Sequence, residues 1–363
     1  MAGQSCNVAV VLDFSKYMHR LLALDPRRGQ ARVQPGLVLD TLQSAAKPHR
    51  LMFPADPATH DHCTLGGMIG NNSCGTHSVM GGTTAANVET LDILTYDGVR
   101  MEVGKTSSAS LSRLMSEPGR RGAIFRGLTT LRDTYEQEIH AQFPKIPRRI
   151  SGYNLPALLD ENGFDMAKAL VGSESTCALV LEATVRLVES PPARSLVVLG
   201  YPDVYRSGDH IVEILEHRPL GLEGMDRILV EELKRMKGAV KGPSLLPEGG
   251  GWLLVEFGGD TQDEADDLGR RFMQSMTTRG AWPTATLFSE PDQQDAVWAI
   301  RKFGFAAANV PGQRIGWTGW EDSAVSPDRV GAYLRDLRSL FDKYGYKTTL
   351  FGHFGEGCVH TPD

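Results

Sequence analysis

The chain has 363 residues, of which 41% are hydrophobic and 23% are charged, a balance typical of globular proteins. A chain of this length exceeds one ordinary hydrophobic core, which predicts two domains. The formal net charge of −6 gives no reason to expect nucleic acid or an anionic membrane surface as a partner.

The sequence also lacks the patterns of membrane-spanning and secreted chains. No apolar run approaches the roughly eighteen residues that a membrane helix needs, and no basic region followed by an apolar one opens the chain. The five cysteines form no Cys-x-x-Cys pair, which indicates reduced thiols. We therefore expect a cytoplasmic location, with the protein either free or attached peripherally to the inner face of the membrane.

The first half of the chain alternates short strands with two helices. The hydrophobic pattern predicts strands over 7–14, 31–34, 88–96, 99–103 and 179–188, and helices over 37–46 and 121–140. Asp97-Gly98, between two of these strands, predicts a tight hairpin.

Pro191-Pro192 marks the clearest boundary, because adjacent prolines cannot continue a central strand. We therefore predict one domain over 1–190 and another over 191–363. Beyond the boundary, strands are predicted over 195–200, 252–257, 285–288 and 348–351, and helices over 261–278, 292–308 and 328–344, the last ended by Gly345 as its C-cap. This alternation favours an α+β domain, with an antiparallel sheet covered by helices on one face.

The segment Thr64–Gly82 is unusually rich in glycine, with six glycines in nineteen residues. Such density indicates backbone at positive φ or in close contact with another group. Successive tight turns would present N–H groups to an anionic or polar ligand. A solvated linker is the alternative, but Leu65, Met68 and Ile69 would be unusual in one. We predict a ligand-cradling loop.

Three motifs in sequence order resemble a known flavoprotein family. They are Phe-Pro-Ala-Asp-Pro at 53–57, the glycine-rich segment, and Gly-Ser-Glu-Ser-Thr at 172–176. Together they resemble the PCMH-type FAD-binding domain of the vanillyl-alcohol oxidase family, in particular its FAD-linked D-lactate and D-2-hydroxy acid dehydrogenases. The second half resembles the family's ferredoxin-like α+β substrate cap, and segment 352–360 is similar to the cap motif Gly-His-x-Gly-Asp-Gly-Asn-x-His. The resemblance covers essentially the whole chain and implies FAD as the cofactor.

The resemblance also implies which residues contact FAD. They lie mainly in the segment that precedes the glycines, in the glycine-rich segment itself, and in the 172–176 turn. The implied residues are Gly3, Gln4, Pro54, Asp56, Thr64, Gly66, Gly67, Gly70, Asn71, Asn72, Ser73, Gly75, Thr76, Gly81, Asn87, Val88, Gly172, Glu174 and Thr176. Ser175 stands where the family usually has glycine, and an exposed turn carboxylate is the alternative role for Glu174.

His353 and His360 are the clearest candidates for functional residues in the second half of the chain. Seven residues apart in one strand they would point to opposite faces, but Gly355 and Gly357 allow the chain to fold so that the imidazoles converge. The resemblance implies that the two histidines bind a divalent metal (zinc, manganese or iron), together with a downstream glutamate. Cys358 replaces the family's asparagine and introduces a soft metal ligand.

Arg301 resembles the arginine that binds the substrate carboxylate in this family, a bidentate task that suits a planar guanidinium. A solvated helix cation is the alternative. Glu321 and Asp322 match a segment just before a family helix, and we expect this pair to cap that helix or to position its neighbours.

The resemblance implies oxidation of a D-2-hydroxy acid, such as D-lactate, to the 2-oxo acid. His360 or His353 would take the hydroxyl proton while a hydride passes to N5 of the flavin, and Arg301 with the metal would neutralise the charge that develops. The side chain of the substrate stays open. So does the electron acceptor, which would be a quinone, a cytochrome or a flavoprotein.

Met1-Ala2-Gly3-Gln4 is similar to the end of the family's first flavin loop, whose preceding glycines are absent, and the family continues beyond the position of Asp363. The sequence is therefore expected to be a fragment, without the iron–sulfur domain of longer relatives. Two alternatives stay open. One is a remnant of such an enzyme that folds without turnover. The other is a nicotinamide-binding enzyme, although Gly66–Gly75 lacks the Gly-x-Gly-x-x-Gly spacing.

Overall fold

The computed structural model describes residues 12–236, 242–278, 284–303 and 322–362. These residues divide into two compact units. The first contains 12–75, 81–145 and 149–190, and the second contains 76–80, 146–148 and the described residues from 191 onward. Two short segments of the first half thus belong to the second unit. None of the helices in these ranges combines the length and the apolarity that crossing a membrane requires.

The first unit is built on a five-stranded antiparallel sheet, in which the third and seventh strands of the chain take no part. Its strands are β1 (Leu21–Asp25), β2 (Gln30–Val33), β3 (Leu51–Met52), β4 (Val88–Thr95), β5 (Arg100–Gly104), β6 (Ala178–Arg186) and β7 (Val188–Glu189). The order in the sheet is β1-β2-β6-β4-β5, and β3 pairs with β7 separately. The helices up to residue 190 are α1 (Leu39–Ala46), α2 (Leu65–Asn71), α3 (Ser78–Gly81), α4 (Thr84–Asn87), α5 (Ser108–Ser116), α6 (Gly119–Gln142) and α7 (Met166–Leu170).

Most predicted elements of this unit are present within a few residues. The hairpin β4–β5 turns at Gly98, which has φ of 86° as the Asp-Gly signal predicts. Alternate residues of β4, such as Leu91 and Ile93, are buried against the helices. The strand predicted over 7–14 lies mostly outside the described residues, and its described end, 12–14, is not in a strand.

The glycine-rich segment is only partly a loop, which corrects the prediction. Thr64 caps α2 by accepting a hydrogen bond from the N–H of Gly67 at 3.4 Å, and Asn72 ends the helix with φ of 55°. Glycine is needed here mainly for close packing: a Cβ on Gly66 would lie 2.6 Å from Cβ of Pro35. Among residues 64–82, only Asn72 and Gly82 have positive φ.

The second unit is built on a seven-stranded antiparallel sheet. Its strands are β8 (Ala193–Tyr201), β9 (Gly221–Asp226), β10 (Gly251–Gly259), β11 (Thr284–Phe288), β12 (Asp322–Ala324), β13 (Phe351–Gly352) and β14 (Cys358–His360), in the order β11-β8-β10-β9-β13-β14-β12. Its described helices of more than four residues are α8 (Val204–Asp209), α9 (Ile211–Leu215), α10 (Arg227–Arg235), α11 (Gln262–Thr278), α12 (Pro291–Lys302) and α13 (Val330–Tyr344).

Helices cover both faces of this sheet, so the prediction that they cover one face was wrong. Along β8, Val197 and Leu199 pack in one hydrophobic cluster with side chains of α11 and α13. The alternate residues Leu196 and Val198 pack in a second cluster with side chains of α10 and α12. A strand buried on both faces reads as a continuous apolar run, which does not reveal how many layers cover it.

The predicted strands and helices of this unit are otherwise largely confirmed. Gly345 ends α13 with φ of 73°, whereas the strand predicted over 348–351 is reduced to Phe351–Gly352. Strand β9 was not predicted, since two glycines interrupt its apolar pattern. At one of them, Gly224, a Cβ would overlap the ring of Phe354, so the glycine permits close packing at the centre of the sheet.

Asp226 links β9 to the chain that enters β13. Its carboxylate caps α10 by accepting from the N–H of Leu229 at 2.9 Å, and it also accepts from the N–H of Leu350 at 3.0 Å. Burial raises the pKa of Asp226 to about 7. This side chain therefore holds the backbone just before β13 in place.

We expect Asp226→Ala to lower the free energy of unfolding by about 2–4 kcal/mol, because it leaves two buried N–H groups without an acceptor. Because the pKa is raised in the folded state, the wild type loses stability as pH rises from about 4 through 7, so the cost of the substitution should shrink by about 1 kcal/mol between pH 6 and pH 8. Urea denaturation at the two pH values measures both effects.

Asp203→Ala is the matched control, since Asp203 caps α8 through the N–H of Arg206 at 2.8 Å from a more exposed position. It should cost about 1 kcal/mol. Equal costs for the two variants would contradict the role given to Asp226.

Candidate functional site

The chain segment 351–360 brings His353 and His360 together in the second unit. After β13 the chain makes one short turn through Phe354–Glu356, reverses at Gly357 with φ of 77°, and returns as β14. The ring centroids of the two histidines lie 5.1 Å apart with their planes nearly perpendicular. The imidazoles thus converge as the glycine spacing predicts, while their role as metal ligands stays a prediction.

Each of the two histidines is held at Nδ1 by a carboxylate. Nδ1 of His353 lies 2.6 Å from Oε1 of Glu223, and Nδ1 of His360 is hydrogen-bonded to Oδ1 of Asp322. Strand pairing produces the second contact directly, because Asp322 in β12 lies opposite His360 in β14. With Nδ1 engaged, Nε2 is the nitrogen of each ring that can serve as a ligand or a base.

Burial and neighbouring charge determine the protonation of these groups. Burial, with the positive charges of Arg148 and Arg301, lowers the pKa of His353 well below its ordinary value. Burial alone would raise the pKa of Asp322, but the hydrogen bond and charge of His360 outweigh it and lower that pKa to about 2. At neutral pH, His353 is a neutral imidazole and Asp322 is ionised.

Arg301, near the end of α12, is 9% exposed, which rules out the alternative of a solvated helix cation. Its Nε donates to Oε2 of Glu223 at 2.7 Å. Its guanidinium lies over the ring of Phe351, with 4.8 Å between the guanidinium carbon and the ring centroid. The predicted carboxylate-binding arginine is thus in the same cluster as the histidines.

Sequence reasoning missed Glu223, which joins Arg301 and His353. The only local signal is an acidic residue inside a short apolar strand, Leu-Glu-Gly-Met, where burial of a charge requires a partner. It also missed the buried ion pair between Arg148 and Glu356, whose Nη1 and Oε2 lie 2.9 Å apart. Burial raises the pKa of Glu223 above its ordinary value, although the adjacent Arg301 opposes the shift.

The donor atoms of this cluster suit a divalent metal. Ligand atoms of Asp322, Cys358 and His360 lie within 4.8 Å of one another. Burial raises the pKa of the Cys358 thiol to about 12, so the metal-free group is neutral. A carboxylate that accepts from Nδ1 lies on the far side of the ring from Nε2, so Asp322 in its observed position would orient His360 for a metal at Nε2 rather than bind that metal itself.

Asp322 therefore takes the second of its two predicted roles. It positions a neighbour, His360, and does not cap a helix, because the turn Pro327–Arg329 begins after Ser326 and α13 only at Val330. Glu321, the other member of the predicted pair, lies outside the described residues.

We expect Asp322→Asn to weaken zinc binding by about tenfold, because loss of the carboxylate charge lowers the basicity of the His360 ring. Competition with a chromophoric chelator measures the affinity. Asp328→Asn, an exposed acid in the next turn, should leave the affinity unchanged. Equal affinity of wild type and Asp322→Asn would contradict the positioning role, and a wild type that holds no zinc would contradict the metal prediction.

In the first unit, the structure brings together two of the predicted flavin segments that are about a hundred residues apart in sequence. The N–H of Gly172 donates to the carbonyl of Ile69 at 2.8 Å, and the N–H of Glu174 donates to the carbonyl of Gly70 at 3.0 Å. The 172–176 turn therefore lies on the C-terminal end of α2. Thr176 closes this turn by donating to the carbonyl of Ser173.

The third predicted segment packs against two other glycines of the glycine-rich segment. A Cβ on Gly75 would overlap the backbone of Asp56, and one on Gly81 would overlap the ring of Pro54. The 54–56 lead-in and the glycine-rich segment are therefore in contact.

Several predicted flavin residues use their side chains inside the protein. Oδ1 of Asn72 accepts from the N–H of Ala85 at 2.9 Å, and Nδ2 of Asn87 donates to the carbonyl of Gly81 at 2.9 Å. Nδ2 of Asn71 donates to Oγ of Ser73 at 3.1 Å. Oδ1 of Asn72 and Nδ2 of Asn87 are therefore already engaged within the protein.

The remaining predicted residues are placed as follows. Val88 is buried at the start of β4, Gly67 lies in the first turn of α2, and Thr76 belongs to the second unit. Gly3 and Gln4 lie outside the described residues.

Ser175 adopts the backbone conformation that glycine would prefer, with φ of 59°, next to Glu174 with φ of 51°. Because a left-handed conformation costs a side-chain-bearing residue about 1–2 kcal/mol, we expect Ser175→Gly to stabilise the protein by up to about 1 kcal/mol. Thermal or urea denaturation measures the gain. Ser175→Ala keeps the strain and should give no gain, and a stabilisation by alanine equal to that by glycine would contradict this explanation.

The sequence matches two family profiles. Residues 1–104 match an FAD binding domain, and residues 190–361 match the C-terminal domain of FAD linked oxidases. Among curated proteins, the chain is 30% identical to D-2-hydroxyglutarate dehydrogenase of Pseudomonas putida, over 99% of this chain and 36% of that protein. It is 22% identical to glycolate oxidase subunit GlcD of Escherichia coli, over 94% of this chain and 56% of that protein. It is 20% identical to D-lactate dehydrogenase of Anaerostipes hadrus, over 97% of this chain and 63% of that protein.

Two solved structures share the fold. Alkyldihydroxyacetonephosphate synthase matches with a TM-score of 0.60 and 15% identity, over 95% of this chain and 59% of that chain. p-Cresol methylhydroxylase matches with a TM-score of 0.59 and 13% identity, over 95% of this chain and 63% of that chain. The chain spans only about a third, 36%, of the length of the D-2-hydroxyglutarate dehydrogenases of Pseudomonas putida and Pantoea ananatis.

Proposed function

Because the chain belongs to the family of PCMH-type FAD-linked oxidases, we propose that it oxidises a D-2-hydroxy acid to the 2-oxo acid with FAD as the electron acceptor. The two family matches confirm the family that the motifs predicted, and the two solved structures of the same fold confirm the α+β class. The match to an FAD binding domain leaves the nicotinamide alternative without support.

The observation that carries the proposal is the buried cluster of the second unit. It places one guanidinium, that of Arg301, and two imidazoles, those of His353 and His360, in a single connected set of contacts. A 2-hydroxy acid presents a carboxylate and a hydroxyl on adjacent carbons. Recognition of the first by a guanidinium and deprotonation of the second by an imidazole require these groups side by side.

The residues predicted to hold FAD fit that role in one respect: two separate segments of the first unit, 54–56 and 172–176, pack against the glycine-rich segment. The side chains of Asn72 and Asn87 are less suited to the role, because Oδ1 of Asn72 and Nδ2 of Asn87 already form hydrogen bonds within the protein. FAD supplies the two-electron acceptor that the side chains of the chain lack.

The protein's own groups would then act as follows. Arg301 binds the substrate carboxylate and opposes its charge. The imidazole of His353 or of His360 accepts the hydroxyl proton at Nε2, while the α-carbon gives up its hydrogen as a hydride. A divalent metal at Nε2 of the other imidazole would supply positive charge beside the hydroxyl oxygen and lower its pKa. The hydroxy acid thereby loses one proton from its hydroxyl group and one hydride from its α-carbon, and the hydride carries the two electrons of the oxidation.

The relatives' names indicate which acids to test. They include D-2-hydroxyglutarate, D-lactate and glycolate, which share the 2-hydroxy carboxylate and differ in the rest of the molecule. We propose the shared group as the recognised element and test the three acids side by side.

The test is the visible absorption spectrum of the purified chain, recorded after FAD is added and free FAD removed, and again after each acid is added. We expect a flavin band that stays with the protein and bleaches with a D-2-hydroxy acid or glycolate, but not with L-lactate. Arg301→Lys should raise KM at least about tenfold with a smaller change in kcat, because an ammonium cannot form the bidentate contact.

Lys302→Gln is the matched control, since Lys302 is the exposed neighbour of Arg301 on the same helix. It should leave KM within about twofold of the wild type. The proposal would be contradicted if the chain retained no FAD, or if none of the 2-hydroxy acids bleached the bound flavin. Either result would favour the alternative of a remnant without turnover.

A further inference from the structure

We propose that Glu223 is a positioning residue whose two carboxylate oxygens orient Arg301 and His353 at the same time. This inference rests on the oxidation of a 2-hydroxy acid proposed above and names a residue that the family motifs do not contain. Glu223 itself does not touch the reacting atoms in this scheme. It acts by determining where a guanidinium and an imidazole present their remaining nitrogens.

The contacts of Glu223 are divided one to each oxygen. Oε2 accepts from Nε of Arg301 at 2.7 Å, and Oε1 lies 2.6 Å from Nδ1 of His353. The side chain is 1% exposed, so water does not compete for either oxygen. Both distances are those of strong, charge-assisted hydrogen bonds.

The backbone holds Glu223 beside both partners. Gly224 of β9 pairs with Gly352 of β13, which places Glu223 next to the strand that leads into His353. On its other side β9 pairs with β10, where Glu223 lies opposite Leu254. A carboxylate fixed between two paired strands has little freedom to move away from its partners.

For Arg301, the contact selects one edge of the guanidinium. Nε is used by Glu223 and one face lies over Phe351, so the plane of the group is fixed from two directions. Within the described part of the chain, no hydrogen bond or ion pair involves the two terminal nitrogens of Arg301. That terminal edge is the one suited to bidentate binding of a carboxylate.

For His353, the contact selects one nitrogen. A carboxylate beside Nδ1 stabilises the tautomer that carries its proton there, which leaves the lone pair on Nε2. A flip of the ring would exchange this hydrogen bond for a C–H group facing a buried carboxylate. The same glutamate therefore sets the geometry of the group that binds the acid and of the nitrogen that receives a metal or a proton.

The test substitution is Glu223→Gln, which keeps the shape and removes one acceptor. An amide has one oxygen, so it can accept from Arg301 or from the Nδ1–H of His353 but not from both, and its NH2 group would favour the tautomer of His353 that accepts at Nδ1. We expect kcat/KM to fall by about a hundredfold, with KM raised and kcat lowered, since a misplacement of about 1 Å costs that much. Arg301→Lys, by contrast, should act mainly on KM.

A second measurement does not depend on activity. The ¹⁵N shifts of histidine-labelled full-length chain report which ring nitrogen carries the proton, and the His353 signals are assigned by their loss in His353→Gln. We expect the proton on Nδ1 in the wild type and a changed or mixed tautomer in Glu223→Gln. Calorimetric binding of oxalate, a stable anion related to the substrate, should weaken about tenfold in that variant.

Glu213→Gln is the matched control, because Glu213 also binds a histidine in this unit: its Oε2 lies 2.9 Å from Nδ1 of His210. It should leave kcat, KM and the His353 tautomer unchanged. A wild-type His353 protonated at Nε2 would overturn the proposal without any variant. So would a folded Glu223→Gln protein with kcat and KM within twofold of the wild type.

The two proposals fail in different ways. If none of the 2-hydroxy acids bleaches the flavin of the wild type, the proposed function fails. The tautomer of His353 and the affinity for oxalate still decide the role of Glu223. If the wild type turns over normally and neither quantity responds to Glu223→Gln, only the role of Glu223 fails.

Discussion

The second unit depends on one constraint: its buried charges must be paired. A carboxylate as buried as that of Glu223 loses its hydration, and among the described residues Arg301 and the N–H of His353 replace it with hydrogen bonds. Arg148 and Glu356 form a second buried pair beside the histidine motif. Because a buried charge without its partner costs several kcal/mol, the pairs hold one another in place. The arrangement that suits the proposed reaction is also the one that permits the unit to fold.

The seven-stranded sheet provides the frame for these pairs. Gly224 allows the ring of Phe354 to pack on β9, and Asp226 holds the N–H of Leu350 just before β13. Register then places Asp322 opposite His360. Helices on both faces keep water from the central strands. The site therefore lies on short strands that are supported by the rest of the sheet.

The sequence could predict the residues that carry a local signature. His353 and His360 stand in a motif with glycines between them, Arg301 stands in a recognisable helix, and the glycine-rich segment marks the predicted cofactor region. Glu223 has no such signature, because its partner His353 is 130 residues away. The helical part of the glycine-rich segment was also missed, since low helix propensity is overridden when close packing requires a small residue.

The sequence by itself determined the family, the α+β class and most strands and helices. It also singled out His353, His360 and Arg301 as site candidates. Periodicity and ordered motifs are local properties, and they suffice for such conclusions. Only the tertiary structure decided that helices cover both faces of the second sheet, that Arg301 is buried, and which nitrogen of each imidazole is engaged. Those features arise from contacts between strands that are distant in sequence, and burial makes each contact obligatory in a way that no local pattern records.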